Sequence, residues 1–137
     1  MTKRDMDRLA RIAWLARGGL ALLFIYHGLV PKLLWLSPQE LAMIEAHGLG
    51  NQAHWLAPLA GGLELAVAAA LLLLRRQRWP LGVAALVLLA LLVDVALFSP
   101  ALLIQAFNPV STNLTGLCLC AILYLAELPE VDHVKQL

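Results

Sequence analysis

The sequence predicts an all-α integral membrane protein: a four-helix bundle with N and C termini cytoplasmic and a short interfacial helix between spans 1 and 2. Three observations carry this. The 137 residues are 61% hydrophobic and only 14% charged, with a mean hydropathy of +0.80, far more apolar than a soluble domain of this size. The chain divides into four apolar runs of about 20 residues each, the length that crosses a hydrocarbon core of about 30 Å as a helix. Lys and Arg gather before the first run and between the second and third, while Trp residues mark the run ends. Four spans leave little chain for a soluble module, so residues 1–137 read as a single transmembrane domain. The formal charge of +1, with its basic residues at span edges, argues against a nucleic-acid partner and makes the lipid bilayer the partner.

The first span is expected at about residues 12–36, with Pro31 kinking or ending its regular part. Lys3, Arg4, Arg8 and Arg11 precede it as in a secretory signal, but the apolar stretch is too long and no small-x-small cleavage site follows, so it reads as a retained span. Ser37-Pro38-Gln39-Glu40 has the form of a capping box with proline at the first helical position, and Gly48 supplies a stop. This predicts a brief interfacial helix over 38–47, a surface connector with no chemistry of its own. The second span is expected at 53–74, alanine- and glycine-rich and closed by Arg75, Arg76 and Arg78. Trp79-Pro80 opens the third, at 79–98. Asn108-Pro109, with Ser111, Thr112 and Asn113, supplies cap-type residues for the fourth, at 110–128. Trp14, Trp35, Trp55 and Trp79 fall near span ends, as an aromatic belt requires.

Charges inside a bilayer cost at least a few kcal/mol each, so the faces they occupy are informative. At helical spacing, Arg17, Ala21, Phe24, Gly28 and Lys32 form one stripe. The matching stripes are Ala57, Gly61, Glu64, Ala68 and Leu71; Val83, Val87, Ala90 and Asp94; and Asn113, Gly116, Cys120, Tyr124 and Glu127. Each combines polar with small residues, which favours helix contact in lipid. By the rise per residue, Lys32 and Asp94 lie level near the outer ends of their spans, within pairing range if their helices neighbour. Glu64 and His27 lie roughly 12 to 14 Å from the outer surface, and Arg17 and Glu127 lie together towards the cytoplasmic face. The expected site is an outward-opening polar pocket lined by Lys32, Asp94, Asn108 and Asn113, with Glu64 and His27 at its floor. A lone intramembrane carboxylate such as Glu64 is a candidate for exchanging protons with a bound ligand, helped by His27; the plainer alternative is an ion pair that locks helix packing. No metal site is expected, because His27, His47, His54 and His133 differ in depth or loop and no two have ligand spacing. Cys118 and Cys120 point about 200° apart on a helix and match no redox or metal motif.

The segments Leu23-Phe24-Ile25-Tyr26-His27-Gly28-Leu29-Val30-Pro31-Lys32, Ser37-Pro38-Gln39-Glu40-Leu41 and Phe107-Asn108-Pro109-Val110-Ser111-Thr112-Asn113-Leu114 together resemble the DoxX-like family of small bacterial membrane proteins. The resemblance covers nearly the whole chain and implies a multi-pass four-helix bundle of the bacterial inner membrane. Relatives named DoxX act as the small membrane subunit of a thiosulfate:quinone oxidoreductase or associate with membrane redox complexes, which implies a membrane or peripheral oxidoreductase partner. Some DoxX-like domains are fused to nucleotide-sugar-epimerase-like enzymes, and the resemblance supplies no catalytic residues. No cofactor motif is evident in the residues, with neither a haem nor a C-x-x-C signature. The leading expectation is an accessory subunit of a membrane redox system binding a quinone-like or other small lipophilic ligand: a quinone headgroup needs hydrogen-bond donors beside an apolar slot, as Lys32, His27 and Asn113 would provide. The alternative is a non-catalytic scaffold or assembly factor. A small-solute transporter with Glu64 as proton carrier is a third, which without repeat symmetry would require a homo-oligomer.

Overall fold

The computed structural model describes residues 2–106 and 108–127, and among them every regular element is helical. Helix α1, Lys3–Gly28, is opened by a capping box: the Thr2 side chain accepts from the Asp5 amide, and the Asp5 carboxylate accepts from the Thr2 amide at 3.0 Å. It runs directly into a π-helical stretch, Leu29–Leu34. Pro31 accounts for the wider winding, because it has no N–H to donate and its ring would crowd the carbonyl four residues back. The Trp35 amide reaches Val30 O at 3.0 Å, and the extended backbone of Trp35 then ends the helix.

Helix α2, Pro38–Ala46, begins as its sequence predicts, with Ser37 Oγ accepting from the Glu40 amide at 3.2 Å. It stops where Gly48 takes a φ of 74°, a backbone region open to glycine at little cost. A turn of 3-10 helix, Gly50–Gln52, leads into α3, Ala53–Leu73, and α4 follows at Trp79–Phe98. A second 3-10 turn, Pro100–Ile104, precedes α5, Pro109–Ala126, which is capped by Asn108 Oδ1 accepting from the Ser111 amide at 2.9 Å.

Four stretches are long and apolar enough to cross a membrane: Lys3–Leu34, Gly50–Leu73, Trp79–Phe98 and Pro109–Ala126. The third coincides with the span predicted from sequence and the second and fourth agree within a few residues. The first starts earlier, because the charged residues before Ile12 continue the helix. Leu15, Leu22, Leu63, Leu73, Leu86, Leu97 and Leu125 face outward, the arrangement expected of a bundle whose surroundings are apolar. Trp14, Trp35, Trp55 and Trp79 are all exposed.

Helix α1 packs against α3 on one side and α5 on the other, and α4 closes the bundle against α5 and, less extensively, α3. The core between them is formed by Leu20, Phe24, Leu71, Ala84, Leu88 and Leu123. The stripes expected for α1 and α3 are the buried ones: Arg17, Ala21, Phe24, Gly28 and Lys32 on the first run, and Ala57, Gly61, Glu64, Ala68 and Leu71 on α3. In α5, Asn113, Gly116 and Cys120 are buried as expected, but Leu123 completes the face. Tyr124 instead lies outside, 50% exposed, beneath the Arg78 guanidinium.

The expectation fails for α4. Its buried residues are Pro80, Leu81, Ala84, Leu88 and Val95, about 100° round the helix from the stripe Val83, Val87, Ala90 and Asp94. That stripe rests on turning the only carboxylate of α4 inward. Asp94 lies within about one turn of the helix end, close enough to be met from outside the four-helix core by α2.

Candidate functional site

The polar centre of the bundle is built where α1 and α3 touch backbone to backbone. A Cβ on Gly28 would stand 2.6 Å from Gly61 O, and one on Gly61 would stand 2.5 Å from Gly28 O. Any larger residue at either position would force the helices apart. Lys32 lies one turn beyond Gly28 and Glu64 one turn beyond Gly61, so the glycine crossing brings their side chains together. Lys32 Nζ donates to Glu64 Oε1 at 2.6 Å, with both residues buried.

A third charge comes from α2, where Glu40 Oε1 lies 3.3 Å from Lys32 Nζ. Glu40 therefore does not complete a capping box with Ser37. Its carboxylate turns to the buried lysine, and burial pushes its pKa up, partly offset by the Lys32 charge. The cluster holds one cation between two carboxylates, and Glu64 Oε2 is buried without a hydrogen-bond partner. His27, half buried one turn before Lys32, is within electrostatic reach of both Glu64 and Lys32.

The expected pairing of Lys32 with Asp94 is not what the structure shows. Asp94 Oδ1 is 2.9 Å from Nε2 of His47, at the end of α2, while Lys32 binds Glu64 and Glu40. Equal depth does not make two residues neighbours: Lys32 sits on the face of the first run that meets α3, whereas Asp94 is on the face of α4 that meets α2. The His47 ring also stacks on Phe98, centroid to centroid at 4.3 Å, and its Nδ1 lies 2.8 Å from Met43 O. Those hydrogen bonds, to the carbonyl first and to Asp94 second, raise its pKa. Asn108 is engaged as the α5 cap, with Nδ2 donating to Gln105 O at 2.9 Å. Asn113 is buried in the second turn of α5. Glu40 and His47 are the residues that sequence reasoning passes over, because α2 reads as a connector without chemistry. The signal for Glu40 was its acidic charge beside a lysine that needs neutralising.

A second polar cluster lies at the opposite end. Arg17 Nη1 donates to Leu71 O at 2.6 Å and Nη2 to Glu127 Oε1 at 2.5 Å, so the expected proximity of Arg17 and Glu127 holds. Arg78 reinforces this end by donating to Glu127 O at 2.8 Å. The start of α1, the α3–α4 loop and the end of α5 therefore share one end of the bundle. Residues beyond Glu127, including His133, lie outside the described residues, as does Phe107.

Two concavities flank these clusters. One, of about 390 Å³, opens sideways between α1 and α5, with Leu22, Leu23, Tyr26 and His27 facing Thr115 and Leu119 across it. The other, of about 420 Å³, lies at the Arg17 end. Among the described residues no three His, Cys, Asp or Glu side chains are grouped to hold a metal ion.

Comparison with known proteins gives one match: the family model described as the DoxX-like family aligns with residues 21–121. That interval contains the Lys32, Glu40 and Glu64 cluster and excludes Arg17 and Glu127. No curated protein and no solved structure matches the chain.

Proposed function

Because the chain belongs to the DoxX-like family, we propose that it acts as an accessory subunit of a membrane redox system and holds a quinone-like or other small lipophilic ligand. The observation that carries this reading is the sideways groove between α1 and α5. Its walls are apolar, it opens towards the lipid phase, and Tyr26, His27 and Thr115 are the lining residues that carry polar groups. A ligand arriving from the bilayer would leave its tail among the acyl chains and present a carbonyl to a ring N–H of His27. Behind His27, Glu64 and Lys32 supply a charged cluster with one unused acceptor, Glu64 Oε2. On this reading the ligand sits deeper and more laterally than in an outward-facing pocket built on Asp94 and Asn108, both of which are engaged elsewhere.

The proposed setting is the bacterial inner membrane, with both termini in the cytoplasm, α2 in the outer interface and an oxidoreductase as protein partner. The excess of Lys and Arg at the Arg17 end supports that orientation. In lipid nanodiscs, a short-chain quinone analogue should bind saturably, and His27→Leu should weaken it by roughly tenfold, the loss of about one hydrogen bond. Equal binding by the wild type and His27→Leu would remove the basis for this site. A scaffold or assembly role is the second reading, favoured by the pairing of Lys32, Arg17 and Asp94 with partners within the fold. Glu64→Gln separates the two, since a scaffold should tolerate that substitution with little loss of cellular function, whereas a proton-handling site should lose its pH-dependent activity.

A further inference from the structure

We propose that the basic end of the bundle holds the phosphate of an anionic phospholipid between Arg75, Arg76 and Trp14. The first helical run, Lys3–Leu34, has 32 residues, on the order of 45 Å, whereas the hydrocarbon core is about 30 Å thick. Its first three turns therefore stand in the headgroup layer. Along those turns Met6, Ala10, Ala13 and Trp14 fall on one face, and the α3–α4 loop brings Arg75 and Arg76 into the lining of the same groove, of about 420 Å³. The groove thus combines apolar side chains of α1 with guanidinium groups, as a glycerophosphate with its acyl chains demands.

The charges in the groove are not equivalent. Arg17 is committed to Leu71 O and Glu127, which cancels its charge. Arg75 rests on the Trp14 ring, 5.4 Å from guanidinium carbon to centroid, which orients its fork without neutralising it. Neither Arg75 nor Arg76 has a carboxylate partner among the described residues. Two positive groups, one of them pre-oriented, remain beside an apolar wall at headgroup depth, and a phosphodiester is the anion that the bilayer places there.

The full chain in nanodiscs of equal phosphatidylglycerol and phosphatidylcholine with matched acyl chains, released into a mass spectrometer, should retain phosphatidylglycerol in roughly tenfold excess. Arg75→Gln/Arg76→Gln should abolish the excess. Arg4→Gln/Arg8→Gln, which removes the same charge from the same end but outside the groove, should preserve it. Equal loss in both double variants overturns the site in favour of a diffuse surface field. If the first double variant folds poorly, Trp14→Leu takes its place: charges are unchanged, the platform under Arg75 is lost, and the excess should fall by roughly half, an unchanged excess counting against the site. Inorganic phosphate at matched ionic strength should not raise the melting temperature in detergent. A rise that Arg75→Gln/Arg76→Gln removes would make this a free-phosphate site and defeat the lipid assignment.

Discussion

Lys32 is one positive charge facing two carboxylates, and that imbalance ranks the substitutions around it. Removing the lysine strands Glu64 and Glu40 together without a counter-charge, the costliest arrangement for buried ions. Removing either acid leaves a balanced pair. Lys32→Met should therefore destabilise the bundle by about 3–5 kcal/mol, Glu64→Gln by less because Glu40 is already 3.3 Å from the ammonium, and Glu40→Gln by least. Unfolding in mixed micelles reads this order, and a Lys32→Met no worse than Glu40→Gln would mean the cluster is not a single electrostatic unit. The sequence made Lys32 and Glu64 legible as inward-facing, because helical spacing fixes which face a residue shares. It did not make them legible as partners. Partner choice depends on the Gly28–Gly61 crossing, where two backbones meet, and neither glycine announces from sequence which helix it will touch.

At the scale of elements, α2 is the part whose importance the sequence conceals. It is short and carries no buried residue, so its apolar pattern says little. It is nevertheless tied down twice, through Glu40 to Lys32 and through His47 to Asp94. The second tie has a protonation state written into its geometry. Met43 O accepts only, and an ionised Asp94 accepts only, so His47 satisfies both simultaneously when each ring nitrogen carries a proton. The charged groups facing His47 across its contact with α4 reduce to Asp94, beside the ring of Phe98. Because the folded pKa of His47 is raised above 6.5, its contribution to holding α2 is fully present below that value and fades as pH rises through the folded one. Hydrogen exchange of the α2 amides should therefore quicken between pH 6 and 8 relative to the intrinsic rate, and Asp94→Asn should flatten the dependence. An α2 whose protection is insensitive to pH over that range would show that this tie does not hold it. The misjudged face of α4 has the same origin as the misjudged Asp94: in a helix of otherwise apolar residues a single carboxylate dominates any reading of polarity, while Ala84 and Leu88 set the packing.

For the whole molecule, the distribution of charge and length argues for one orientation. The four spans were legible because each is apolar for about 20 residues, a requirement imposed by the bilayer and not by tertiary contacts. Their joint arrangement adds that the start of α1, the α3–α4 loop and the end of α5 lie at one end, tied by Arg17, Arg78 and Glu127. That end collects Lys3, Arg4, Arg8, Arg11, Arg75, Arg76 and Arg78. The opposite end, with α2 and the 99–108 connection, has Lys32, which is neutralised by Glu64 and Glu40. Lys and Arg near span ends are retained on the cytoplasmic side during insertion, so α2 should face outward. In a Cys118→Ala/Cys120→Ala background, Gln39→Cys on the exposed surface of α2 should react with a membrane-impermeant maleimide in intact cells, and Gln77→Cys in the α3–α4 loop only after permeabilisation. The reverse pattern would turn the molecule over in the membrane, placing the Lys32 cluster towards the cytoplasm and the arginine groove outside. The same pair of labels thus decides on which side of the membrane each polar cluster works.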